Sequence, residues 1–117
     1  MTIQERVVGS ATILDLEGKL VLGDGDMLLK DKIHSLVFQG QRNIVLNLGQ
    51  VSYMDSSGLG ALVASFVTAK NNGGQIKLLN LTGRLQDLLA IAKLLTVFET
   101  FDVEADAVRS FPTAATA

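Results

Sequence analysis

The stretch Asn43-Ile44-Val45-Leu46-Asn47-Leu48-Gly49-Gln50-Val51-Ser52-Tyr53-Met54-Asp55-Ser56-Ser57-Gly58-Leu59-Gly60 decides how this chain is read. Residues 43–48 are a short, mostly apolar run, the pattern of a strand buried on both faces. Ser56 or Ser57 then opens a helix to about Lys70, with Leu59, Leu62, Val63, Phe66 and Lys70 on one face. A helical pattern also precedes the strand, so the strand is expected to lie parallel to its predecessor. Downstream, Asn71-Asn72-Gly73-Gly74 is a strong turn. Residues 75–80 read as a strand with Ile76, Leu78 and Leu79 as its apolar positions. Thr82 can cap a helix to about Lys93, with Leu85, Leu88, Leu89 and Ala92 as its stripe. Residues 97–101 read as a short last strand. Asp102 is expected to cap a final helix over 103–109, and residues 113–117 to fray.

Upstream, Asp24 or Asp26 can cap a helix over 27–39, whose stripe is Leu29, Ile33, Leu36 and Val37 and which Gly40 stops. Residues 19–25 are expected to be a loop broken by Gly23 and Gly25. Residues 3–8 and 11–16 form two strands joined by a tight hairpin at Gly9-Ser10, the second ending at Gly18. The order is β-β-α-β-α-β-α-β-α. It predicts an α/β single domain, residues 1–112, around a mixed, mostly parallel sheet of about five strands. Successive right-handed crossovers put the crossover helices on one face.

Composition narrows the function. The 117 residues are 48% hydrophobic and 19% charged, which excludes an intrinsically disordered chain. No cysteine and one histidine are present. Thiolate metal sites, cysteine nucleophiles and multi-histidine metal centres within one chain are thereby excluded, and no cofactor is expected. The net charge is −2 and no basic face is evident, so nucleic acid is disfavoured as a partner. No apolar run approaches the roughly 20 residues of a membrane span, and no signal pattern opens the chain. A soluble, cytoplasmic protein is the expectation.

The chemistry concentrates at residues 51–60, after a buried strand and at the start of a helix. Functional groups gather at the carboxyl ends of strands in open α/β sheets. Asp55 or Ser56 can be a helix cap, with Gly58 and Gly60 permitting close packing. Two hydroxyls behind an aspartate exceed what one cap needs, and each early helical glycine costs about 1 kcal/mol relative to alanine. A sterically open helix start offers free amides to an anion, which makes a serine there a plausible phosphoacceptor. A serine hydrolase fits badly. The Gly-x-Ser-x-Gly elbow fails, because Met54 stands two residues before Ser56 and Asp55 two before Ser57. His34 precedes the serines and reads as a boundary or surface residue. Gly23-Asp24-Gly25-Asp26 lacks the third glycine of a dinucleotide loop, since Leu28 stands there. As a calcium loop it fails at Leu28, Leu29 and Ser35. Glu99, Asp102, Glu104 and Asp106 read as a solvated acidic face, and residues 94–98 as core.

Residues 43–48 and 51–60 resemble the anti-sigma factor antagonists, the bacterial STAS domains, most specifically in Met54-Asp55-Ser56-Ser57-Gly58-Leu59-Gly60. The similarity runs over about residues 8–110, and the order of elements matches that family's fold. The resemblance implies an anti-sigma factor antagonist, not an enzyme. Unphosphorylated, it would bind an anti-sigma factor that is also a serine kinase and so release a sigma factor. Phosphorylation would end the contact, and a serine phosphatase would reset it. ATP would belong to the kinase. The phosphoacceptor of the family falls on Ser57, with Ser56 the alternative if the helix starts in another register. Asp55 and Gly58 would support the phosphosite. Leu20, Val21, Leu22, Gly23, Asp24, Met54, Ser56, Leu59 and Gly60 would form the partner surface. The chain would be a monomer or weak dimer. One departure stands out: where many members have Gly-Glu-Leu-Asp, this chain has Gly18-Lys19-Leu20-Val21. The alternative implied by the same resemblance is a constitutive scaffold subunit of a signalling or lipid-transport complex.

Overall fold

The computed structural model describes residues 1–112; the expected frayed tail, 113–117, lies outside them. The elements are β1 (Thr2–Val8), β2 (Ala11–Leu20), α1 (Gly25–Phe38), β3 (Asn43–Met54), α2 (Ser56–Asn71), β4 (Gln75–Leu79), α3 (Gly83–Ile91), β5 (Thr100–Phe101) and α4 (Glu104–Arg109). They form one five-stranded sheet in the order β1-β2-β3-β4-β5. β1 pairs antiparallel with β2, and every later pair is parallel.

The sheet separates two apolar layers. Leu14, Leu16, Leu46, Leu48, Ile76 and Leu78 pack with Leu29 and Ile33 of α1, Leu62 of α2, and Leu85 and Leu89 of α3. The three crossover helices thus share one face, as the handedness rule requires. Ala11, Ile13, Val45 and Leu79 point to the other face, where Ala107 of α4 and Phe111 cover them.

α2 meets the core through Gly58, Ala61, Leu62, Ser65 and Ala69. Of the expected stripe, Leu62 is buried, Leu59, Val63 and Phe66 are half-buried, and Lys70 is exposed. Small residues carry the most buried line. Ser65 Oγ is buried there with no hydrogen-bond partner. An unpaired buried hydroxyl costs roughly 1–3 kcal/mol. Ser65→Ala is therefore expected to raise unfolding free energy by about 1 kcal/mol in a urea titration; a loss of stability would show that the hydroxyl has a partner.

The strands are bounded differently from the sequence expectation. Gly18 does not end β2, and β3 does not stop at Leu48. Both continue, to Leu20 and Met54, through register shifts at Asp15/Glu17 and Gly18/Lys19. Gly18 has φ +112 and is passed in stride. Gly49 lies where β3 is irregular, with Asn47 Oδ1 accepting its N–H at 3.2 Å. β5 shrinks to two residues because Val97 N–H turns back to Leu94 O at 3.0 Å. Phe98 is core, whereas Thr96 and Val97 are exposed. Asp102 does not cap α4: the N-cap position is Val103, and no side chain caps the helix. Thr82 does cap α3, accepting from Leu85 N–H at 3.3 Å.

α4 is held instead by charge. Arg6 on β1 donates to Asp15 on β2, at 2.6 and 3.1 Å, and to Glu104 on α4. Hydrogen bonds from Arg6 are the main cause that holds both carboxyls below the usual carboxylate range. A carboxylate with a depressed folded pKa stabilises the fold above its unfolded pKa and loses that contribution as pH falls through the folded one. Stability is thus expected to drop below about pH 4, the unfolded carboxylate range. Arg6→Leu should flatten that drop in melts from pH 7 to 2. An identical profile in both proteins would remove this network from the account.

Candidate functional site

The long β2–β3 pair projects one end of the sheet beyond the other strands, and residues 51–60 lie there. Leu20 pairs with Met54 at the tip of this projection. Both are buried, Leu20 fully and Met54 at 5% exposure. They therefore lie beneath the surface at the tip of the sheet, where the sequence reading had expected both to be exposed to a partner.

Asp55 follows Met54 and caps α2, its Oδ1 accepting from Gly58 N–H at 2.8 Å. Its Oδ2 accepts from Leu22 N–H at 3.1 Å. One carboxylate thus joins the β2–α1 loop, residues 21–24, to the first turn of α2. The amides of Gly58 and then Leu22 hold its pKa below the usual carboxylate value. Asp55 N–H also reaches Leu20 O at 3.4 Å. The approach is so close that a Cβ on Gly58 would sit 1.9 Å from Leu20 O. Gly60 is different: a Cβ there meets nothing within 4 Å. The expectation of close packing holds for Gly58 and fails for Gly60, which is exposed helix surface.

Ser56 is exposed and Ser57 half-buried in the first turn of α2. Val21 and Leu59 are half-buried, and Leu22, Gly23 and Asp24 are exposed. The loop has its own internal ties. Asp26 Oδ1 accepts from Gly23 N–H at 2.9 Å and Met27 N–H at 2.7 Å. Asp24 stands at the N-cap position of α1 without capping it; its carboxylate faces the Met1 amino group at 3.2 Å. Gly25 allows the helix start to pass Lys19 O, from which an added Cβ would lie 2.7 Å.

The sequence reading missed part of this surface. Met27 and Leu28, on the first turn of α1, are large apolar side chains left 52% and 41% exposed, beside the expected Leu22 at 71%. The signal was present: Met27 and Leu28 fall off the Leu29–Ile33–Leu36 stripe. Tyr53, on the projecting end of β3, is also exposed. His34 is exposed on α1. No group of three His, Cys, Asp or Glu among the described residues is placed to hold a metal. No helix among them is long and apolar enough to cross a membrane.

This fold and this helix start define a class, and the chain belongs to the STAS domain family, whose model matches residues 2–107. It is similar to the anti-sigma-B factor antagonist of Bacillus subtilis, at 40% identity over 72 residues. That match covers 62% of this chain and 65% of the relative, just under two thirds of its length. Among solved structures, a protein described as an anti-sigma factor antagonist from Thermotoga maritima superimposes with TM-score 0.84 at 21% identity, over 92% of each chain. The Bacillus cell fate determinant SpoIIAA in its phosphorylated form gives TM-score 0.73 at 24% identity, over 92% of this chain and 97% of that one. At such identities the likeness is one of fold.

Proposed function

We propose that this chain is an anti-sigma factor antagonist switched by phosphorylation of Ser57. It binds, unphosphorylated, an anti-sigma factor with serine kinase activity, and so frees a sigma factor. The observation that carries the reading is the double acceptance by Asp55, which makes residues 21–24 and the start of α2 one surface. Family membership and the names of its relatives supply the class of partner.

The switch follows from charge. Ser57 Oγ attacks the γ-phosphorus of kinase-bound ATP, the hydroxyl proton leaves, and the bond to ADP breaks. The phosphoserine carries about −1.5 to −2 charge at neutral pH. At a helix start the dipole favours that charge, so the fold tolerates it. In a protein contact the same charge must be desolvated beside Asp55, and that is costly without a cationic partner. A metal-dependent serine phosphatase would restore the hydroxyl by hydrolysis. Val21, at the position where the family resemblance implies an aspartate in many members, makes this loop less acidic and would help select the partner.

The test is to incubate the protein with the anti-sigma kinase of its own organism and ATP, then map the phosphate by mass spectrometry. Incorporation at Ser57, and none in Ser57→Ala, is the expected result. Phosphate on Ser56 alone would move the acceptor by one residue. No incorporation, with the same partners captured by wild type and Ser57→Asp, would favour a constitutive scaffold.

A further inference from the structure

The other end of the sheet carries an unfinished edge. β5 pairs only with Leu78 and Leu79 of β4. Residues 75–77 therefore have a strand neighbour on the β3 side alone. Successive residues of a strand turn their amides to alternate sides. Gln75 N–H reaches Arg42 O toward β3 at 2.8 Å. Leu78 N–H and Asn80 N–H reach Glu99 O and Phe101 O on the β5 side, each at 2.9 Å. The same alternation turns the amide and carbonyl of Ile76 to the β5 side, where no backbone group among the described residues bonds them. An unpaired amide and carbonyl on a sheet edge are a template for another strand.

These groups face a cavity of 390 Å³ lined by Phe66, Lys70, Gly73, Gly74, Val97 and Glu99, among others. That volume is within the roughly 300–1,000 Å³ of ligand-binding clefts. Its apolar wall is Phe66 and Val97. Its rim is basic on a chain whose total charge is −2. Lys70 Nζ lies 5.7 Å from the Phe66 ring centroid and makes no ion pair among the described residues. The Arg42 guanidinium lies against Gly73 and donates to Asn72 O. The one acidic lining residue, Glu99, is neutralised by Lys77 at 3.2 Å.

We propose that this edge is a docking groove for an extended, carboxylate-bearing peptide segment of a partner protein, which joins the sheet as a strand beside residues 75–77. The peptide's main chain pairs with Ile76, its alternate side chains fill the Phe66–Val97 wall, and its carboxylate meets Lys70. Ser57 and Lys70 are thirteen positions apart on α2, or about 20 Å at 1.5 Å per residue. The groove is therefore separate from the phosphosite surface, and neither reading depends on the other.

The experiment selects a random dodecapeptide phage library on the full chain, then titrates the enriched synthetic peptide while following amide exchange. Enriched peptides should alternate β-branched residues with Asp or Glu. The Ile76 amide should exchange faster than that of Leu78 in the free protein and slow by about tenfold or more with peptide bound, as for a newly paired strand edge. Lys70→Glu should weaken binding by about tenfold, while Ser57→Asp leaves it unchanged. No enrichment, or binding indifferent to Lys70→Glu, would overturn the proposal. So would an Ile76 amide as protected in the free protein as that of Leu78, which would mean that residues 97–99 close the edge themselves.

Discussion

Gly58→Ala is expected to destabilise the fold by about 3 kcal/mol or more, on the scale of the most damaging single substitutions. The added Cβ would stand 1.9 Å from a main-chain oxygen, that of Leu20. No flexible side chain can yield there, so β2 and the start of α2 must separate. That movement also strains the bonds from Asp55 to Gly58 and Leu22. Any folded fraction should therefore lose partner binding as well. Gly60→Ala is the matched control. With nothing within 4 Å of the new methyl, the helix keeps only the propensity gain of about 1 kcal/mol. Urea titrations of the two variants should move in opposite directions. A similar, small change in both would mean that α2 does not approach Leu20 so closely.

Ser57→Asp is expected to weaken binding of the anti-sigma kinase by about a hundredfold or more, equivalent to about 2.7 kcal/mol, the scale of an unpaired charge at an interface. Ser57→Ala should bind within a few-fold of wild type. The melting temperature separates this effect from unfolding. An acidic residue in the first turn of a helix is stabilising, so Ser57→Asp should melt no lower than wild type. Weakened binding together with a lowered melting temperature would point to a damaged fold rather than a switch. A calorimetric titration beside a thermal melt distinguishes the two.

The order of elements, the parallel sheet and the shared face of α1, α2 and α3 were legible because apolar periodicity reports burial directly. The ends of elements were less so, for local reasons. Gly18 read as a break, and the apolar run read as a strand stopped before Gly49, yet an isolated glycine in a strand also marks an irregularity that the strand survives. The alternation after Gly49, with Val51 and Met54 buried around exposed Ser52 and Tyr53, carries that signal weakly. The opposite error befell β5, where residues 97–99 have strand-like composition but a turn at Val97 diverts them. At the site, the Asp55 cap was readable from residue type. Its second bond, to Leu22 N–H, joins residues 33 positions apart, and nothing local announces such a contact. Burial of Leu20 and Met54 was hidden for the same reason: only the pairing of the two strand ends places them under the surface.

The most direct test of the central claim is calorimetry with the anti-sigma kinase of the same organism. It would be titrated against the unmodified protein and against protein phosphorylated at one residue, mapped by mass spectrometry. Phosphate on Ser57 is expected to lower affinity by about a hundredfold or more, as for a dianion in an interface with no cation to meet it, while the fold stays intact. Equal affinity of the two forms would contradict it.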